Sequence, residues 1–215
     1  MKTNNKDLRN IFIWVYSIYE EAKKLLQDSA SHLNSKHRLR EVQSTLSRMS
    51  EGENYDYIFA QYLLPPEETV KRIVILNGIS FIEDEGENYP RLILGKIMLK
   101  SGLNSGMLKK GLEKEIGKSG LYLYHACVGL EWEAFKVEQE DKHKIFLIVK
   151  PTSLYKSWFE KRKRVKEVVS TWVPLASIDS PDTLNTLLDS AVPFFLKDER
   201  EELRKKVIEL RNKGM

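Results

Sequence analysis

The feature that most constrains the fold is a change in the spacing of apolar residues along the chain. Near the amino terminus Leu8, Ile11 and Val15 recur at spacings of three and four, which predicts an amphipathic helix. Between residues 72 and 149, apolar and β-branched residues alternate instead, which predicts strands. From residue 153 the helical spacing returns. This order predicts an α+β fold, with helices at both ends and a β unit between them.

The first 66 residues are predicted to be helical. The first helix starts near Asp7, and the small polar residues 28–35 are predicted to end it. A third, short helix is expected over residues 57–64, where Pro65 stops it. The second helix carries four apolar residues on one face, Leu39, Val42, Leu46 and Met49. The first two helices are expected to form an antiparallel hairpin, and one bent helix running through both is the alternative.

The β unit is predicted to contain about six mostly antiparallel strands. Asn77-Gly78 is the dipeptide that best fits a tight type I′ turn, so it is predicted to join two of these strands. A short helix is expected over residues 107–116, between two meanders of three strands each. The predicted strands cover residues 72–76, 79–82, 91–99, 121–128, 132–138 and 145–149. The chain then divides into a helical region, 1–66, and an α+β domain, 67–215, packed as one unit.

The carboxy-terminal third is predicted to be helical. Ser180, followed by Pro181 and an acid, is typical of a helix start, and that helix is expected to run to about Ala191. A charged helix is predicted over residues 197–213, ended by Gly214. Its inward-facing residues are Leu203, Val207 and Leu210. Residues 165–173 fit either a helix or a strand.

Composition narrows the class of protein. The chain has 35 basic and 31 acidic residues and is 41% hydrophobic, so wholesale disorder is not expected. Cys127 is the single cysteine, which fits a reducing compartment. The polar start lacks a signal-peptide pattern, and the longest near-apolar run, residues 11–19, is too short to span a bilayer. The expected location is the cytoplasm, away from membranes.

The sequence offers no convincing cofactor or metal motif. Gly117-Lys118-Ser119 resembles the end of a phosphate-binding loop, but the first glycine of that loop is missing at the required spacing. None of the four histidines, His32, His37, His125 and His143, forms a zinc pair at spacing i, i+4. His125 and Cys127 share a predicted strand face without an orienting acid. We therefore predict no cofactor and no metal, and leave any catalytic residue unassigned.

Acidic residues of the β unit suggest an alternative function. A metal-dependent nuclease or phosphotransferase requires carboxylates at the edge of a sheet. The candidates are Glu83, Asp84, Glu131, Glu133 and Glu138. Acids in predicted turns more often simply end strands at the surface, so the sequence favours this reading less.

The strongest functional signal is a basic segment, residues 156–166. Six cations lie within its eleven residues, interleaved with Trp158 and Phe159. They are Lys156, Lys161, Arg162, Lys163, Arg164 and Lys166. On a helix these cations can contact phosphates of DNA or RNA, and such binding is sensitive to salt. A solvated charged face is the common alternative.

Aromatic residues of the first helix suggest a protein partner. Trp14 and Tyr16 lie off its main apolar stripe, and apolar surface left over after folding often marks an interface. Packing on the protein's own β unit is the alternative. Together these signals predict a non-catalytic binding or adaptor subunit of a nucleic-acid-handling assembly, with a protein partner or a second copy on the first helix. A purely structural interaction subunit is a further alternative.

Overall fold

One antiparallel sheet packed against helices makes up the described structure. In the computed structural model, the residues described are 5–51, 54–66, 73–81, 90–99, 135–140, 145–151 and 165–214. The α+β class, with a helix first, then strands, then carboxy-terminal helices, is confirmed. The α-helices are α1 (Asn5–His37), α2 (Pro181–Lys197) and α3 (Glu201–Gly214), and a short 3-10 helix covers Leu175–Ser177. None of the described helices is both long enough and apolar enough to cross a bilayer.

In the described part of the chain, seven strands form the sheet. They are β1 (Arg40–Glu51), β2 (Asn54–Leu64), β3 (Ile73–Ser80), β4 (Arg91–Leu99), β5 (Phe135–Glu140), β6 (Leu147–Pro151) and β7 (Val165–Pro174). Their order across the sheet is β1-β2-β3-β4-β7-β6-β5, and all neighbours are antiparallel. A four-strand meander therefore joins a three-strand meander through the pairing of β4 with β7.

The predicted second and third helices are wrong, because residues 40–51 and 54–64 form β1 and β2. Serine and threonine compete for backbone hydrogen bonds inside helices, and β1 contains four of them among twelve residues. Tyr57, Ile58 and Phe59 of β2 favour strands through their aromatic or branched side chains. The helical hairpin is thus replaced by one helix followed by two strands. The apolar spacing of three and four did not distinguish these alternatives.

The predicted turn at Asn77-Gly78 is also wrong, because both residues lie within the continuous strand β3. Asn77 is opposite Gln61 in β2, and its buried Nδ2 donates to Gln61 Oε1 over 3.5 Å. Continuing the strand lets its backbone groups pair with both β2 and β4, which two shorter strands ending at a turn would not achieve. Burial in the middle of the sheet outweighs the turn preference of the dipeptide.

The small polar residues 28–35 do not end α1, so the first helix is longer than predicted. Ser29 is buried, and its Oγ donates to the carbonyl of Leu25 in the preceding turn. The helix ends at His37, where Arg38 adopts a left-handed conformation with φ of 58°. The Arg38 amide then donates to the Asn34 carbonyl over 2.9 Å. A serine-rich stretch can therefore remain helical when one of its faces is buried.

Several predictions for the remaining elements are confirmed. Strand β4 covers the predicted residues 91–99, and Ser180 caps α2, where its side chain accepts from the Thr183 amide. Helix α2 continues past Ala191 to Lys197. The inward residues of α3 are those predicted, Leu203, Val207 and Leu210. Residues 165–174 form a strand, which is one of the two structures that the sequence allowed for residues 165–173.

The core lies between the sheet and the three helices. It includes Leu33 of α1, Leu187 of α2 and Val207 of α3, each with 0% exposure. Alternate residues of β3, such as Ile75 and Ile79, belong to this cluster. Burying side chains of this size stabilises the fold by about 1.5–3 kcal/mol each. The core therefore fixes how the carboxy-terminal part of α1 sits against α2.

Candidate functional site

Several cations lie along one edge of the sheet, where the strands begin or end, and they are spread from β1 to β7. Strand polarity brings the starts of β1, β3, β5 and β7 to the same edge as the ends of β2, β4 and β6. The cations described at this edge include Arg38, Arg40, Lys150 and Lys166, which we call the basic edge. Glu41 and Glu167 are acids at the same edge. Arg38, Arg40 and Lys166 are exposed, and Lys150 is half-buried.

The basic segment predicted to contact phosphates connects two strands at this edge. Its chain leaves β6 after Pro151 and enters β7 at Val165. Lys166 is exposed at the start of β7, so it lies on a strand and not on the predicted helix. The other five predicted phosphate contacts lie outside the described residues, and they are Lys156, Lys161, Arg162, Lys163 and Arg164. Pro151 and Val165, the described residues on either side of this stretch, thus lie beside the basic edge.

The amino-terminal half of α1 carries exposed apolar side chains. Ile13 is 54% exposed, Tyr16 is 66% exposed and Ile18 is 42% exposed. Trp14 lies in the same turns of α1, but its side chain is outside the described set. Among the described side chains of α1, those packed on the core include Tyr19 and Ala22, further along the helix. Of the two predicted partner-binding residues, Tyr16 is therefore accessible for contact.

A cluster of histidines, an aspartate and a lysine joins α1 to α2. The Nε2 atoms of His32 and His37 each lie 2.8 Å from the same atom, Oδ1 of Asp189. The other carboxylate oxygen, Oδ2, accepts from Lys36 Nζ over 2.7 Å. We call His32, His37 and Asp189 the histidine cluster. Each of its side chains is partly buried, with 17%, 21% and 32% exposure respectively.

Two histidines five residues apart meet at the end of α1. On a continuous helix, side chains at this spacing point about 140° apart. His37 is the last residue of α1, and the left-handed Arg38 follows it. His32 lies one and a half turns earlier, and the two rings meet edge to face with centroids 6.0 Å apart. Asp189, in the middle of α2, receives both rings.

The charge of Asp189 is strongly stabilised. Partial burial alone would raise the pKa of Asp189, but hydrogen bonds from His37, Lys36 and His32 outweigh burial and hold the pKa well below its usual range. The carboxylate is therefore ionised at neutral pH. An ionised carboxylate next to two imidazole nitrogens is a set of donors suited to a cation.

A cleft adjoins the histidine cluster. Its volume is about 470 Å³, and His32 and Ser35 of α1 line it together with Asn185 of α2. Asp28 and Asp179 add carboxylates to its wall. Asp179 accepts from Lys213 Nζ and Thr183 Oγ1, and these hydrogen bonds lower its pKa to about 2. The cleft is lined by both apolar and polar residues and is large enough for a small organic ligand.

A buried lysine links the centre of the sheet to the end of α2. Lys96 of β4 is 1% exposed, and its Nζ donates to the Phe194 carbonyl over 3.1 Å and to Asp198 Oδ1 over 2.5 Å. Desolvation lowers the pKa of Lys96, while Asp198 opposes that shift. Because the ammonium is paired and also faces the Phe194 ring, its role is to fasten α2 to the sheet.

Neither the histidine cluster nor the buried contacts of Lys96 were predicted from the sequence. Nothing in the sequence connects His32 and His37 with Asp189, which lies more than 150 residues away. Lys96, by contrast, interrupts an otherwise apolar strand, and that interruption was an available signal. Of the acids proposed for a nuclease, only Glu138 falls in the described part, in β5. The others lie outside it, and they are Glu83, Asp84, Glu131 and Glu133.

Other motifs from the sequence also lie outside the described residues. These are the Gly117-Lys118-Ser119 stretch, His125, Cys127 and His143. No protein-family model, curated protein or solved structure matches the chain. The functional argument therefore depends on the residues themselves.

Proposed function

We propose that the protein is a non-catalytic adaptor subunit of a cytoplasmic assembly that handles nucleic acid. In this proposal the basic edge and the basic segment contact phosphates, while the exposed residues of α1 bind a protein partner or a second copy. The observation that carries it is that the described residues flanking the segment, Pro151 and Val165, lie at the same edge of the sheet as the exposed Lys166 and, four strands away, the exposed Arg40. The single cysteine supports a reducing compartment.

The charge arrangement supports contact with a polyanion. Lys136 of β5 is the register partner of Lys150 of β6, so two cations occupy opposite positions on neighbouring strands. These two cations add positive charge beside the basic edge, which favours contact with a phosphate backbone. Contacts of this kind bind DNA or RNA without reading bases, because they address only the backbone.

The test is a fluorescence-anisotropy titration with labelled single-stranded and duplex DNA and RNA. The affinity of wild-type protein should fall steeply as salt rises, since each phosphate contact contributes about −0.9 to the log–log slope on duplex DNA. Repeating the titration with magnesium and checking the probe for cleavage separates the adaptor from the nuclease. An intact probe favours the adaptor, whereas magnesium-dependent cleavage favours the nuclease.

Two matched variants locate the contact. The basic-segment variant carries Lys161→Gln, Arg162→Gln, Lys163→Gln and Arg164→Gln. The control variant removes the same charge from exposed lysines of the helices, with Lys23→Gln, Lys24→Gln, Lys197→Gln and Lys205→Gln. The first should lose most of its affinity and reduce the salt slope by about 2–4, while the second should retain both. Equal losses in the two variants, or no binding by wild-type protein at low salt, would refute the proposal.

A further inference from the structure

We propose that His32, His37 and Asp189 bind one divalent transition-metal ion, and that zinc fits the site best. Two imidazole nitrogens and one carboxylate oxygen are the ligand set of many three-ligand zinc sites, in which the fourth position is left for water or a substrate. Such a set excludes calcium and magnesium as preferred ions, because these favour oxygen ligands. The inference is independent of nucleic-acid binding.

The geometry of the donor atoms supports a shared ion. Both Nε2 atoms point at Asp189 Oδ1, and the three atoms lie within 4.8 Å of one another. Zinc ligands lie about 2.0–2.2 Å from the metal, which in a tetrahedral site separates neighbouring ligand atoms by about 3.3 Å. The two distances of 2.8 Å would thus widen by about half an ångström. Each Nε2 would also give up the hydrogen that it donates to Asp189, leaving a neutral imidazole whose hydrogen is on Nδ1 and whose Nε2 lone pair faces the zinc ion. Side-chain rotation is sufficient for that change, since none of the three residues is fully buried.

The surroundings hold the ligands in place. Lys36 Nζ donates to Asp189 Oδ2, which leaves Oδ1 as the oxygen that faces both histidines. Hydrogen bonds of this type to a ligating carboxylate are a regular feature of metal sites, where they orient the ligand. Each ligand is also fixed to a packed helix, because Leu33 of α1 and Leu188 of α2 are in the core. The helices therefore bring the donors together before an ion binds.

The open coordination position has a neighbouring space for a ligand. His32 belongs both to the histidine cluster and to the wall of the 470 Å³ cleft. Ser35 and Asn185 supply polar groups beside it. A bound ion would fasten α1 to α2 and present its fourth position to water or to an anionic or carbonyl oxygen of a small molecule in the cleft.

The test measures zinc binding by the full chain, with competition against a chromophoric chelator. Wild-type protein should bind one zinc ion per chain more tightly than about 10 µM. The variants His37→Gln and Asp189→Asn should each weaken this binding by at least about 100-fold, beyond the usual effect of a residue that only orients a ligand. The matched controls His143→Gln and Cys127→Ser should bind zinc as wild-type protein does.

A second measurement leaves the three proposed ligands unsubstituted. Zinc added to wild-type protein should shift the imidazole nitrogen resonances of two of the four histidines, identified by spectra of His125→Gln and His143→Gln. Cobalt(II) should give the visible spectrum of a nitrogen and oxygen site without a thiolate band. Absence of one-to-one binding, shifts in His125 or His143, or a thiolate band would each overturn the proposal. The cluster would then be an ion-paired contact between two helices.

Discussion

Replacing Lys96 should separate the effect of its charge from the effect of its packing. Its aliphatic chain fills space between β4 and α2, while its ammonium bonds to the Phe194 carbonyl and to Asp198. Lys96→Met keeps most of the packing and removes the charge. Lys96→Ala removes both. Asp198→Asn keeps Lys96 but removes the charge that compensates it.

The expected changes in the free energy of unfolding depend on which polar or charged group loses its partner in each variant. In Lys96→Met the Phe194 carbonyl loses one donor but still accepts from the Asp198 amide over 3.1 Å, so the cost is about 1 kcal/mol, and the desolvation of an ammonium is avoided. Asp198 is 52% exposed and keeps its contact with Arg200, so its remaining charge is solvated. We expect a net loss of about 0–2 kcal/mol. Lys96→Ala loses in addition about three methylenes at about 0.8 kcal/mol each, together with a cavity penalty, for a total of about 3–5 kcal/mol.

Urea denaturation at pH 7, followed by far-UV circular dichroism, measures these free energies of unfolding. We expect Lys96→Met to lower the free energy of unfolding least, Asp198→Asn to lower it more, and Lys96→Ala to lower it most. Asp198→Asn should cost more than Lys96→Met, because it leaves an ammonium that is 2% exposed without its counter-charge. If Lys96→Met proves as costly as Lys96→Ala, the ammonium and not the packing dominates, and the reasoning is refuted.

Three further perturbations test other contacts. Asp179→Asn should destabilise the protein above pH 4, where the ionised carboxylate of wild-type Asp179 pairs with Lys213. This difference in stability should vanish toward pH 2, because the lowered pKa of Asp179 delays protonation of the carboxylate, and with it the loss of the ion pair, until that range. Urea midpoints measured across this pH range would contradict the prediction if the difference stayed constant. Ser180→Ala should cost about 1 kcal/mol by removing the acceptor for the Thr183 amide, and a thermal midpoint equal to that of wild type would contradict the cap. Tyr16→Glu should leave the free energy of unfolding within about 0.5 kcal/mol of wild type, since the side chain is exposed. Sedimentation velocity should show that the variant binds a second copy or a protein partner more weakly than wild-type protein does. A folded variant whose assembly state is unchanged would exclude this helix from the interface.

Local signals predicted the parts of the fold whose preferences agree with their surroundings. Ser180 with Pro181 fixes the start of α2, and the spacing of Leu203 with Val207 predicts the buried face of α3. The apolar run in residues 91–99 predicts β4 without ambiguity. In these segments the residue preferences and the tertiary packing favour the same structure.

The sequence could not supply structure that depends on distant partners. Residues 40–51 form a strand because β2 provides its hydrogen bonds, although Leu46 and Met49 fit a helical spacing. Asn77 is extended because β2 and β4 flank it on both sides. In the same way, His32 and Asp189 become neighbours only when α1 and α2 pack together. Pair contacts across 150 residues leave no trace in a local pattern.

The position of β7 has a consequence for how the chain folds during synthesis. Strand β7 pairs with β4, with Leu92 opposite Val173, so the two halves of the sheet are connected by residues about eighty positions apart. The ribosome makes β1 to β4 before β7, so one hydrogen-bonding edge of β4 has no partner strand until β7 is made. Helix α1 is made before the strands, but α2 and α3, which also cover the sheet, are made later still. Contacts so distant in sequence slow folding and prolong the exposure of apolar strands. Newly made chains should therefore depend on chaperones until residue 174 has left the exit tunnel.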